Sequence, residues 1–179
     1  FVQKLRELSQ GKPIGFKICI GHYHQFLSIC KAILKTQIYP DFITVDGAEG
    51  GTGAAPVEYT NHLGTPGDEA VAFVKNCLIG TNIKQHIRII SSAKVTSSFD
   101  IVKRMALGAD TCNMARPMLF AIGCVQSVRC NTNTCPTGVA TTNKHRAYAI
   151  KLKQKSQQVA IKNFGGNVML QKTMSGKHA

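Results

Sequence analysis

The chain has 179 residues, of which 44% are hydrophobic and 17% charged, with a formal net charge of +13. That size and balance fit about one ordinary globular domain with room for a sizeable core, and they exclude a disordered chain. The longest apolar stretch, residues 118–125, is far below the roughly 18 residues that span a bilayer, and no apolar signal segment opens the chain, so no membrane and a cytoplasmic protein are expected.

Phe1 is not an initiator residue and the chain opens directly on a charged, helix-like stretch at 2–8, so part of a longer polypeptide is expected. Residues 14–20 alternate apolar side chains with Gly15, Lys17 and Cys19, the period-two pattern of a strand. If the face with Lys17 is enclosed, its ammonium needs an anionic partner such as a substrate carboxylate or a reduced flavin; the alternative is an outward Lys on a short strand. After a turn at Gly21, residues 24–34 place Phe26, Leu27, Cys30, Ile33 and Leu34 on one helical stripe, and 42–45 read as a buried strand.

The loop Asp46-Gly-Ala-Glu-Gly-Gly-Thr-Gly-Ala-Ala-Pro56 follows at once. It lacks the Lys of a P-loop and the glycine order of a dinucleotide fold. Gly47, Gly50, Gly51 and Gly53, with Thr52 among them, let backbone approach a ligand, while Asp46 and Glu49 can accept hydrogen bonds or protons. The spacing is equally compatible with a tight structural loop.

Residues 68–78 predict a helix with Val71, Phe73, Val74 and Leu78 inward and a stop near Gly80. A third strand follows at 87–90, then a helix capped by Ser98 and closed by Gly108, then a fourth strand at 111–114. This order predicts right-handed crossovers, a parallel sheet covered by helices, and about four units of a TIM-like parallel β/α barrel. The features that look functional follow strand ends, where such barrels build their active sites. Ser92, Ala93 and Lys94, with Ala115 and Arg116, are candidates for phosphate binding.

Cys124, Cys130 and Cys135 then fall within twelve residues. Their spacing does not match the paired knuckles of structural zinc, and thiolates without paired histidines favour an iron-sulfur cluster, of the three-iron kind if there are only three ligands. Spacing alone leaves unrelated thiols as an alternative. The seven cysteines are an odd number, which points to a reducing compartment, and Cys19, Cys30, Cys77 and Cys112 are expected in the core. Beyond 141 the chain reads as a basic, partly helical tail at 142–179, which defines a second region after 1–141. All nine acidic residues lie at or before Asp110, whereas the last 69 residues carry ten Lys and Arg. Without basic runs or nucleic-acid motifs, this charge suits a solvated face, or the steering of acidic redox partners, better than nucleic acid.

Residues 42–56 and 124–140 closely resemble the flavin domain of the glutamate synthase family, and the similarity runs over 11–141, nearest to the shorter, stand-alone FMN-binding members. The resemblance implies the C-terminal half of an FMN-binding β/α barrel, with a 3Fe-4S cluster on Cys124, Cys130 and Cys135. It further implies reduction, by FMN, of the imine formed from 2-oxoglutarate and ammonia or glutamine-derived ammonia, with Lys17 beside flavin and substrate. A ferredoxin or a reductase subunit is the implied electron source. A related FMN oxidoreductase with another substrate and a non-catalytic electron-transfer module are the alternatives. Ala93 and Pro117 stand where relatives often carry glycine; Ala93 matters if its backbone needs positive φ, and Pro117 can start a short helix.

Overall fold

A computed structural model describes residues 1–49, 58–148 and 150. They form two compact units: the first holds the described residues up to Asn113 except 95–100, and the second holds 95–100 and those from Met114 onward.

The first unit opens on helix α1 (Val2–Leu8) and continues β1 (Gly15–Cys19), α2 (Tyr23–Thr36), β2 (Phe42–Asp46), α3 (Gly67–Gly80), a single 3-10 turn (Lys84–His86), β3 (Arg88–Ser92), α4 (Ser98–Leu107, of which 98–100 are counted with the second unit) and β4 (Thr111–Cys112). The four strands are parallel in the order β1-β2-β3-β4, so the expected βαβ alternation forms one sheet of β/α-barrel type. Register aligns Lys17 with Thr44 and Ile90, and Cys19 with Asp46 and Ser92, on one face. The opposite face carries Ile43, Val45 and Ile89, which are fully buried, and Phe26, Cys30, Ile33, Val71, Val74 and Leu78 are buried on α2 and α3.

Helix α2 buries a narrower stripe than its pattern predicts: Leu27 and Leu34 stay 42% and 37% exposed at the margin of the row through Phe26, Cys30 and Ile33. A helix laid on a sheet buries roughly a 100° stripe. Phe73 is half-buried and joins a ring cluster with Tyr23 and Phe26. Cys30, Cys77 and Cys112 are buried as expected, and burial pushes the Cys30 thiol up to about 11. Cys19 is exposed, because it lies on an edge strand and on the face away from the helices, so it is not a core residue.

Two equivalent carboxylates clasp the lower ends of the strands. Asp41, just before β2, accepts the Ile14 N–H at 2.7 Å and is paired with Arg6 of α1 at 2.9 Å. Asp110, just before β4, accepts the Ile89 N–H at 2.7 Å and is paired with Lys84 at 2.9 Å. The Ile14 N–H and then Arg6 hold the Asp41 carboxyl below the usual carboxylate range.

Helix α4 starts one residue earlier in its capping than expected. Ser97, not Ser98, is the cap: its Oγ accepts the Asp100 N–H at 3.2 Å while the Asp100 carboxylate accepts the Ser97 N–H at 3.0 Å, a reciprocal box. Gly108 closes the helix with φ 126°, as its position predicts.

The second unit contains α5 (Ala115–Ala121) and α6 (Lys144–Ala147). Pro117 sits in the first turn of α5, where its missing N–H costs no helical bond. Asn143 caps α6 by accepting the His145 and Arg146 N–H groups. No helix among the described residues is long and apolar enough to cross a membrane.

Candidate functional site at the strand ends

The upper ends of β1, β2 and β3 bring together several of the residues singled out from sequence. Lys17 Nζ lies 2.7 Å from Asp46 Oδ2, with the lysine side chain 57% exposed. The lysine therefore has its anionic partner within the chain itself, and it is not enclosed by the described residues. The other Asp46 oxygen accepts the Ala48 N–H at 2.9 Å, which ties the start of the glycine loop to the ion pair.

Gly47 is a glycine for a local reason: a Cβ there would stand 2.6 Å from the Gly67 nitrogen and 2.7 Å from Glu49 Oε2. Glu49 itself turns inward, and its Oε2 lies 3.6 Å from Arg104 Nη2. Gly50, Gly51, Thr52 and Gly53 lie outside the described residues.

At the end of β3, Ser91 and Ser92 are buried, and the backbone then turns through two consecutive left-handed residues, Ala93 (φ 75°) and Lys94 (φ 49°). The condition that makes alanine costly at position 93 is thus met, because Cβ crowds the backbone there. Lys94 is exposed. Turns can present successive backbone N–H groups to an anion such as a phosphate. Ala115 and Arg116 start α5 in the second unit, Ala115 exposed and Arg116 half-buried.

The cysteine loop has its own scaffold in the second unit. Asn133 Oδ1 accepts from the Thr141 hydroxyl at 2.6 Å and the Thr142 N–H at 2.8 Å, and Arg146 Nη1 donates to the Thr134 carbonyl at 2.9 Å. Gly138 (φ 78°) lets the Arg146 carbonyl come where a Cβ would be. Cys135 is buried within this frame. The Ala140 N–H and the Thr137 hydroxyl, with the N–H groups of Thr137 and Val139, hold its thiol down to about 7 although burial pushes it up. Cys124 is half-buried and Cys130 exposed. Among the described residues no three His, Cys, Asp or Glu side chains converge as metal ligands, so the three thiols share a loop without forming a ready triad. The donor chemistry at Cys135 fits a metal-bound thiolate, because the N–H groups around it favour the ligand form.

Sequence reasoning passed over Arg104, Asp68, Asn133 and Arg146. The signal at Asn133 was present, since Asn is the residue that most readily takes a left-handed backbone outside glycine, and its φ is 59°. Arg104 carried no signal: its helix reads as an ordinary amphipathic one.

A parallel β/α sheet with ionisable groups gathered at the upper strand ends defines the class, a partial β/α barrel. A family model described as a conserved region in glutamate synthase matches residues 1–169, and the chain belongs to the glutamate synthase family. The glutamate synthase large subunit-like protein YerD of Bacillus subtilis is 38% identical over 159 residues, covering 89% of this chain and 30% of that protein. An archaeal glutamate synthase [NADPH] of Methanocaldococcus jannaschii is 34% identical over 141 residues, covering 78% of this chain and 27% of that one. The chain thus spans less than a third of the length of these relatives. A mutant flavocytochrome b2 with benzoylformate shares the fold at a TM-score of 0.50 and 15% identity, over 95% of this chain and 34% of its own.

Proposed function

We propose that this chain is the C-terminal part of an FMN and iron-sulfur barrel that makes glutamate from 2-oxoglutarate and ammonia, the ammonia being free or released from glutamine. The observation that carries the reading is the Lys17–Asp46 pair at 2.7 Å, set at the strand ends beside the glycine loop of a chain that belongs to this family. Asp46, Gly47, Gly50, Gly51, Thr52, Gly53, Ser92, Ala93, Lys94, Ala115 and Arg116 would hold FMN, and Cys124, Cys130 and Cys135 the 3Fe-4S cluster. When bound, FMN would supply hydride to the imine carbon, and a cluster held by the three cysteines would relay electrons from a ferredoxin or a reductase subunit.

The residues of the chain do the rest. Lys17 is a charge that a dicarboxylate substrate can share with Asp46, which orients the keto carbon without burying an unpaired ammonium. Glu49 is the carboxylate at hand for imine formation: it accepts a proton from the adding nitrogen and returns one to the departing hydroxyl. Its Oε2 is buried beside Arg104 and its side chain is 21% exposed, so the proton would be exchanged at the other carboxylate oxygen.

The test is the visible spectrum of the polypeptide purified without oxygen from its longest reading frame, followed by reoxidation of the reduced protein with 2-oxoglutarate and ammonia. Flavin bands with a broad iron-sulfur shoulder, and reoxidation only when both substrates are present, are expected. Lys17→Met should raise the KM for 2-oxoglutarate by about tenfold or more, the loss of one charge-assisted contact. A folded, colourless protein, or flavin that 2-oxoglutarate and ammonia leave reduced, would sink the proposal.

A further inference from the structure

We propose that Arg104 is the positioning residue of the glycine loop, acting through Glu49; the inference rests on the loop's role given above. Its guanidinium is 5% exposed, in the middle of α4. A charge removed from water to that extent requires compensating partners. Two carboxylates supply them: Asp68 Oδ1 at the start of α3, 2.8 Å from Nε, and Glu49 Oε2, 3.6 Å from Nη2.

The details assign the guanidinium to Glu49 rather than to Asp68 alone. Asp68 already has a second cation, Lys103 Nζ, 2.9 Å from its Oδ2. Among the described residues Glu49 is paired with no cation but Arg104. The contacts are also close charge approaches without hydrogen-bond alignment, since Arg104 Nε and Nη1, Asp68 Oδ1 and Glu49 Oε2 are all buried with no hydrogen-bond partner among the described residues. The guanidinium is therefore held between the two carboxylates by charge and by shape.

Shape is supplied by two glycines. A Cβ on Gly67 would run into the Arg104 guanidinium, and a Cβ on Gly47 into the Gly67 nitrogen and Glu49 Oε2. The arginine thus presses through a gap at the start of α3 against the first residues of the loop, where Ala48 (φ 50°) is pinned by Asp46. Removing the guanidinium leaves the buried Oε2 of the half-buried Glu49 without its counter-charge, so the carboxylate turns toward water and loosens Ala48 and Glu49 at the start of the loop. Arg104 itself touches neither substrate nor cofactor; it acts on Glu49, the residue proposed to meet the substrate.

The experiment uses the full polypeptide with Arg104→Met, Arg104→Lys, Glu49→Gln and the double variant R104M/E49Q. Hydrogen exchange is followed at the Ala48 amide, with flavin removed, and kcat and KM for 2-oxoglutarate are measured in the loaded enzyme. For Arg104→Met, Ala48 exchange should rise about tenfold and kcat fall about tenfold, while KM changes by less than about twofold because Lys17 is untouched. Arg104→Lys, which keeps the charge and loses the fork, should recover part of both. The double variant should be no slower than Glu49→Gln alone.

Ala48 exchange and kcat that match wild type in Arg104→Met overturn the proposal, as does a double variant whose loss is the product of the two single losses. If Arg104→Met does not fold, Arg104→Lys decides: an unaltered Ala48 amide and unaltered kcat overturn the proposal, and an intermediate rise supports it. A wild-type protein that binds no flavin sinks the functional reading but leaves the exchange measurement, and with it the placement of the loop by Arg104, to stand or fall separately.

Discussion

At the scale of single residues, two positions carry more than their type suggests. Ala93 holds a φ of 75°, a conformation that crowds a Cβ, at the turn after β3. Replacing it by glycine should stabilise the chain by about 0.5–1 kcal/mol, the relief of left-handed strain less the extra freedom of glycine when unfolded. Chemical denaturation checks this, and an Ala93→Gly chain no more stable than the parent would show that the strain is illusory. Cys135 is the second. With its thiol held down to about 7 by the Ala140 N–H and the Thr137 hydroxyl, it should ionise in one step near neutral pH in metal-free protein, read by thiolate absorbance. That step should vanish in Cys135→Ser, while Cys30, pushed up to about 11 by burial, contributes nothing there. In the sequence, Cys124, Cys130 and Cys135 look alike. What separates them is the set of N–H groups delivered by the turn after Pro136, and no residue pattern announces the direction of an N–H.

At the scale of elements, α4 depends on its first turn. Burial raises the Asp100 carboxyl, but the N–H groups and hydroxyls of Thr96 and Ser97 outweigh it and leave it below the usual range. The sign follows: the folded state prefers the carboxylate, so its contribution is complete above the ordinary carboxylate pKa and fades as pH falls through the lowered value. Asp100→Ala should cost about 1 kcal/mol at neutral pH and nothing in strong acid, measured by unfolding at each pH. Equal losses at both would refute the box. The elements themselves were legible: the period-two run at 14–20 became β1 (Gly15–Cys19), and the glycine at 108 ended α4 as its position predicts. Their margins were not. Leu27 and Leu34 belong to the same apolar stripe as Phe26, and only the packing of α2 decides which rows are covered. Ser97 and Ser98 are equally good caps on paper, and the bond from Asp100 chooses the first.

At the scale of the molecule, β1 and β4 each pair on one side only among the described residues, and the chain's match covers 30% of its Bacillus subtilis relative. Open strand edges recruit other strands. The 179-residue chain on its own should therefore associate as its concentration rises, in sedimentation runs where the polypeptide of the longest reading frame does not. A short chain that stays monomeric and melts cooperatively would count against this. The class of fold and the shared face of Lys17, Asp46 and Ser92 could be read from the sequence because alternation fixes faces. The Arg104 contact could not, because it joins residues 104, 68 and 49, far apart in the chain, through space made by two glycines. The paired clasps at Asp41 and Asp110 have one more consequence. They repeat the same fastening at the lower rim of the β1-α2-β2 and β3-α4-β4 units, away from Lys17 and Asp46. On the proposed reading, cohesion and reactivity are entrusted to opposite rims, so a lineage built this way would be able to exchange one substrate for another at the upper rim while inheriting its fastenings unchanged.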